Sequence, residues 1–310
     1  MILKTLVISA AILALGLGGL ALRLSQRQAQ IAAAFPPIGQ FITVNGARVH
    51  YKTTGSGPNI VLIHGASGNL REWEFGLRAA LEKRFTVTAF DRPGLGYSDP
   101  IPQGDHLAAQ AAHLRKAAAA LGIPAPILIG HSYGGSVALA WALQDAPPAM
   151  MLISAPSLPW PDPLDPWYRL TNSTLGRALA VPIAAALVPQ SYVRRATDAV
   201  FAPQSAPPAY HTEFGAMLAT RAPSLATNTG QVNALYGDIT AQMAGYGALN
   251  MPIALIHGDS DTIVPLHVHA AKLVDILPNA SLTVLKGVGH MPQHSHLDVI
   301  LAQLSAVLDR

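Results

Sequence analysis

The sequence predicts an α/β fold, a mostly parallel sheet flanked by helices with a mainly helical insertion late in the chain. Three observations carry this. Short apolar runs at 60–63, 126–129 and 150–153 alternate with segments of helical length, and such runs suit strands buried on both faces of a parallel sheet. The alternation stops near Pro156 and gives way, until about Asn250, to a Pro- and Ala-rich stretch with scattered aromatics. It then resumes with an apolar run at 253–256. A chain of 310 residues, 50% hydrophobic and 12% charged, is long and apolar enough to bury such a core.

Residues 1–30 read as a membrane anchor or signal segment. Lys4 precedes an uncharged run from Thr5 to Leu22, which Arg23 and Arg27 follow. At about 1.5 Å per residue the run spans about 27 Å as a helix, enough for a bilayer core. A secretory signal has a shorter apolar core with a cleavage site close behind it. Here the nearest small-residue candidate, Ala32-Ala33-Ala34, lies past both arginines. The segment therefore reads as an uncleaved anchor, with a cleaved signal as the alternative and a soluble packing helix third. Gly16, Gly18 and Gly19 weaken a helix in water but are tolerated in membranes. Positive charge flanks both ends of the run, so it does not decide the orientation; the expectation is that the domain that follows lies outside the cytoplasmic membrane.

The core is expected in two parts, 31–156 and 251–310. Residues 41–51 read as a hairpin, with Asn45-Gly46 supplying the positive φ angles of a tight turn. A break at 55–58 precedes the strand at 60–63. A helix is predicted over 73–81, a strand over 85–90, an Ala-rich helix over 106–121 and a strand over 126–129. Next come a helix over 136–143 and a strand over 150–153. The insertion occupies 157–250, and its Trp160, Trp167, Tyr168, Phe201, Tyr210, Phe214 and Met217 are candidates either for an apolar pocket or for packing. The chain then returns to a strand at 253–256, a helix at 266–277, a strand at 281–285 and a helix at 296–308.

The chemistry centres on Gly130-His131-Ser132-Tyr133-Gly134-Gly135, which fits G-x-S-x-G between an apolar strand and a helix. The glycines leave room where strand and helix close around a serine in a sharp turn. A serine hydroxyl is a weak nucleophile and needs a base that a carboxylate orients. Two later segments, each following a strand, offer these: His257-Gly258-Asp259-Ser260-Asp261 and Gly287-Val288-Gly289-His290. His290 would take the proton of Ser132, and an aspartate would hold its tautomer.

With His64-Gly65 and Asp91-Arg92-Pro93-Gly94-Leu95-Gly96-Tyr97-Ser98, these motifs stand in the order of the α/β-hydrolase superfamily, which the chain resembles from about Phe41 onward. The resemblance implies a serine esterase or lipase-like enzyme with a cap and no cofactor. In the family's G-D-x-D pattern the second carboxylate is usually the acid, which selects Asp261 and leaves Asp259 to the turn. The resemblance also implies oxyanion donors from the backbone N–H groups of Tyr133 and Ala66, with the Ser67 hydroxyl as a further candidate. It gives Asp91 and Arg92 a bracing role, and His64 and His257 support of their own loops. Carbon–carbon bond hydrolases, lactonases, amidases and cofactor-free haloperoxidases share the serine framework, and some relatives of the fold are non-catalytic binding proteins. Dehalogenases and epoxide hydrolases use an aspartate where Ser132 stands.

Other classes find little support. The net charge is +3 and no block of five Lys or Arg occurs, so nucleic acid is not the expected partner. The absence of cysteine excludes disulfides, a thiol nucleophile and cysteine-bound zinc. His290 and His294 have the i,i+4 spacing of helical metal ligands, but Pro292 interrupts them and no carboxylate sits at the needed offset. The expected partner is a small ester with apolar groups.

Overall fold

Residues 2–309 are described by the computed structural model of the protein. The first element, α1 (Ile2–Ala34), is one helix that carries the apolar run and continues past it. Residues 2–19 are exposed along their whole length, whereas Ile31 is buried. The hairpin follows as β1 (Gln40–Val44) and β2 (Ala47–Thr54), paired antiparallel. Asn45 and Gly46 take φ angles of 51° and 82°, the doubly left-handed turn their identities predict.

Next come β3 (Asn59–Ile63), a 3-10 turn over Leu70–Glu74, α2 (Leu77–Leu81) and β4 (Thr86–Phe90). The single helix expected over 73–81 is thus divided, because Gly76 takes φ 112° and ends the turn before α2 starts. After α3 (Leu107–Ala120), β5 (Ile127–His131) runs directly through Ser132 into α4 (Tyr133–Gln144). Both elements reach further toward the serine than periodicity alone suggests. Beyond β6 (Met150–Ile153), the insertion folds as α5 (Pro166–Thr171), α6 (Thr174–Leu187), α7 (Gln190–Phe201), α8 (Tyr210–Glu213) and α9 (Ala222–Gln242). The side chains of Asp165 and Ser173 cap α5 and α6 by accepting from Trp167 N and Gly176 N.

The chain ends with β7 (Ile253–Gly258), α10 (Ala270–Ile276), β8 (Ala280–Leu285), α11 (Pro292–Ser295) and α12 (Leu297–Leu308). α10 begins later than the expected 266, since Pro265 O accepts from both Val268 N and His269 N in a preceding turn.

The eight strands form one sheet in the order β1-β2-β4-β3-β5-β6-β7-β8, parallel from β4 to β8. Alternate residues serve opposite faces. Val61, Ile63 and Leu128 join Leu114, Val137 and Trp141 in one core, while Ile60, Leu62 and Ile129 join Leu77, Ile300 and Leu304 in the other. The strand order reverses between β3 and β5. In an open α/β sheet the loops leaving the carboxyl ends of strands at such a point diverge and open a crevice.

Candidate active site

Ser132 sits in that crevice, at the carboxyl end of β5. Its φ of 51° and ψ of −128° are unfavourable for a residue with a Cβ, at a cost of about 1–3 kcal/mol. The turn is held from outside: Ser132 N donates to Ile153 O of β6 at 2.8 Å. The flanking glycines permit the close packing. A Cβ at Gly134 would stand 2.0 Å from Ile63 O, and one at Gly130 would stand 2.5 Å from Gly134 O.

The Ser132 hydroxyl and the imidazole Nε2 of His290 are 2.9 Å apart. On the far side of the ring, Nδ1 lies 2.7 Å from Asp261 Oδ2. The other carboxylate oxygen, Oδ1, accepts from Ile263 N and Val264 N, both at 2.9 Å. Asp259 does not enter this chain: its Oδ1 accepts from Gly287 N at 2.7 Å and ties the turns after β7 and β8 together. His257 contributes through Nε2, which donates to Val264 O at 2.7 Å and lies 3.3 Å from Asp261 Oδ2.

These groups have shifted acidities. Burial raises the Asp261 pKa, but hydrogen bonds from His257 and His290 outweigh it and hold the carboxyl well below the usual range. Burial of His290 disfavours the imidazolium and outweighs the Asp261 carboxylate, so its pKa falls below 6.5. At neutral pH the ring is therefore neutral. With Nδ1–H donated to Asp261, Nε2 is free to accept a proton from Ser132.

The loop after β3 approaches the serine from the side. A Cβ on Gly65 would meet Ser132 Cβ at 3.1 Å. Arg92, wholly buried, donates to His64 O at 3.0 Å and Gly65 O at 3.1 Å, fixing both peptide groups. His64 Nε2 accepts from Arg92 N, and its Nδ1 contacts Gly65 O. Asp91 braces the adjoining turns by accepting from Leu70 N and Tyr97 N, each at 2.7 Å. The amides of Ala66 and Tyr133 donate to no acceptor among the described residues. Ser67 takes φ 52°, and its N–H donates to Asn228 Oδ1 of α9 at 2.7 Å.

Above Ser132 lies a cavity of about 680 Å³. Its floor includes Ala66, Ser132 and His290, and its walls come from α6, α7, α9 and the neighbouring turns. Trp167, Tyr168, Phe201, Tyr210 and Phe214 line it. The remaining two candidates do not: Trp160 packs edge-on to Tyr236 and His269, and Met217 is absent from the lining.

Sequence reasoning assigned no part to Glu72, His131 or Asn228. Glu72 is buried, with Oε1 2.7 Å from His131 Nδ1, and His131 Nε2 lies 3.0 Å from His290 O. Burial opposes charge on both partners, but their mutual attraction and hydrogen bond outweigh it, so the Glu72 pKa is held below and the His131 pKa above its ordinary value. Glu72 stands just before the segment 73–81 predicted as a helix, and nothing local signals its burial.

Comparison with known proteins agrees with this architecture. Residues 58–297 match the family model described as alpha/beta hydrolase fold. The chain is 30% identical over 270 residues to an uncharacterized protein of Mycobacterium tuberculosis, covering 84% of this chain and 77% of that one. It is 27% identical over 269 residues to a pimeloyl-[acyl-carrier protein] methyl ester esterase of Pseudoalteromonas atlantica, covering 82% and 95%. The solved structure of a membrane phospholipase A, a bacterial virulence factor, overlays with a TM-score of 0.63 at 22% identity, covering 99% of this chain and 98% of that one. At that identity the likeness concerns the fold. Together with the sheet order and the position of Ser132, the match over 58–297 establishes that this chain belongs to the α/β-hydrolase fold family.

Proposed function

We propose that the protein is a membrane-anchored serine hydrolase that cleaves carboxylic esters bearing hydrophobic groups. The observation that carries this reading is the hydrogen-bonded chain Ser132–His290–Asp261 at the floor of an apolar cavity. Ser132 Oγ attacks the ester carbonyl carbon as His290 Nε2 takes the hydroxyl proton. The carbonyl oxygen becomes an oxyanion and accepts from the Ala66 and Tyr133 amides, which have no competing acceptor among the described residues. Collapse breaks the bond to the alcohol, which leaves with the proton from His290. Water, deprotonated by the same nitrogen, then cleaves the acyl-enzyme and regenerates Ser132. The helical insertion acts as a cap whose aromatic walls select apolar substrates.

The N-terminal helix acts as the anchor, with the catalytic domain outside the cytoplasmic membrane. Its apolar window has a mean hydropathy of 2.2 and no buried residue. Retention of the segment is supported by Arg27, which donates to Val188 O, and by buried Ile31; cleavage at Ala32–Ala34 would remove both contacts. A fluorophosphonate probe should label the protein, and Ser132→Ala should abolish labelling. Medium-chain p-nitrophenyl esters should be cleaved faster than short polar ones. A folded protein that the probe does not label would indicate a binding protein, and turnover of lactones or vinylogous diketones but no ester would reassign the reaction. Protection of the domain from added protease in spheroplasts, with digestion only after lysis, would reverse the orientation.

A further inference from the structure

The cap carries an apolar face that the proposed catalytic reaction does not use. Along α6, Leu175, Leu179, Ile183 and Leu187 recur at four-residue spacing and are 50–69% exposed. Most helices of a folded domain hide such a stripe; this one presents it outward. Val181 and Ala185 on the opposite side are buried, so the stripe is not the helix's packing face.

Its position relative to α1 identifies what covers it. α1 packs on α6 and on the turn over Ala216–Thr220. The covered side of α1 runs through Leu20, Leu24, Arg27, Gln28 and Ile31. This contact face therefore reaches into the apolar run that ends at Leu22. Arg27 donates to Val188 O and, at 3.5 Å, to Ala186 O at the end of α6. Arg27 lies five residues beyond Leu22, or about 7–8 Å along a helix, which is the depth of the headgroup layer flanking a ~30 Å hydrocarbon core. Val188, at that level, also lines the cavity, as do the neighbouring Pro189 and the half-exposed Tyr192. Exposed Arg194 and Arg195 on α7 add positive charge beside this corner, complementary to anionic headgroups.

We propose that α6 and the α6–α7 corner rest on the bilayer, and that the cavity receives its ester directly from the lipid phase past Val188, Pro189 and Tyr192. The substrate is then an amphiphile held in the membrane by a long alkyl chain. This rests on the reading of α1 as an anchor. An interfacial helix with an apolar face and flanking cations binds where headgroups meet acyl chains.

The absence of cysteine permits a direct test. Single substitutions Leu13→Cys in α1, Leu179→Cys and Leu187→Cys in α6, and Lys83→Cys at the opposite end of the sheet would each carry an environment-sensitive fluorophore. The full chain is placed in vesicles of phosphatidylcholine and phosphatidylglycerol, some containing doxyl-labelled lipid. Labels at 13, 179 and 187 should be quenched by the doxyl group, and the label at 83 should not. Quenching at 13 but not at 179 or 187 would overturn the proposal and leave the anchor intact. No quenching at 13 would overturn the anchor reading itself. Protection of 179 and 187 from both doxyl lipid and aqueous iodide, increasing with protein density, would assign the stripe to a second copy of the chain and also overturn the proposal.

Activity supplies a second readout. Leu179→Glu combined with Ile183→Glu should lower kcat/KM on a vesicle-borne long-chain ester by about tenfold or more and change that on a short soluble ester by less than about twofold. Equal losses on both substrates would mean that the stripe supports folding of the cap, and would overturn the proposal.

Discussion

Replacing Asp261 with asparagine tests the proposed mechanism at one atom. The side chain keeps its size, and Ile263 N and Val264 N both still require an acceptor where Oδ1 now stands. The amide oxygen is therefore held at that position, and the NH2 group takes the place of Oδ2, facing His290 Nδ1 at 2.7 Å. A donor there forces the imidazole to carry its proton on Nε2. That nitrogen is 2.9 Å from Ser132 Oγ and can then no longer accept the serine proton. The negative charge that stabilises the imidazolium is lost as well. Tautomer inversion of this kind costs about 10³–10⁴-fold in kcat, or about 4–5.5 kcal/mol of transition-state stabilisation. Steady-state kinetics on a medium-chain p-nitrophenyl ester would measure it, with circular dichroism to verify folding. Asp259→Asn, which alters a solvent-exposed turn, should stay within about tenfold of the parent. Equal losses at 259 and 261, or a loss below tenfold at 261, would refute the assignment of the acid.

Three further outcomes are expected. Because burial lowers the His290 pKa below 6.5, the protonated, inactive form is confined to acid; kcat/KM should rise with pH to a midpoint under 6.5, and a midpoint above 7 would contradict the environment described. Gly134→Ala should destabilise the protein by about 3 kcal/mol or more, since its Cβ would stand 2.0 Å from a strand carbonyl; thermal unfolding with an unchanged Tm would argue against the tight elbow. Ala196→Phe, which fills a wall of the cavity, should move the chain-length preference toward shorter acyl groups while leaving fluorophosphonate labelling intact, and an unchanged profile would place the acyl chain elsewhere.

Much of this architecture was legible because its signals are local. Asn45-Gly46 dictates the hairpin turn by backbone preference alone, and the apolar runs at 60–63 and 253–256 mark strands with no polar face to expose. The spacing of Gly130, Gly134 and Gly135 around Ser132 likewise reflects steric demands within a few residues. The pattern over 73–81 predicts one helix where Gly76 breaks the chain, because a lone glycine within an apolar pattern does not announce a φ of 112°.

Other features exist only through contacts distant in sequence. Asp259 and Asp261 differ by two positions and carry the same functional group; the turns after β7 and β8 point one carboxylate to Gly287 N and the other to His290. Burial of Glu72 against His131, and the reach of Asn228 from α9 to Ser67 N, depend on side chains brought together across 59 and 161 positions. The apolar residues of the insertion could not be sorted into packing, cavity wall and outward stripe by composition, because hydrophobicity has no direction until the helices are placed. By itself, then, the sequence determined the hydrolase framework and proposed Ser132, Asp261 and His290 for its chemistry. Tertiary structure alone decided which atoms face one another, and it turned Leu179, Ile183 and Leu187 outward beside the helix that carries the apolar N-terminal run.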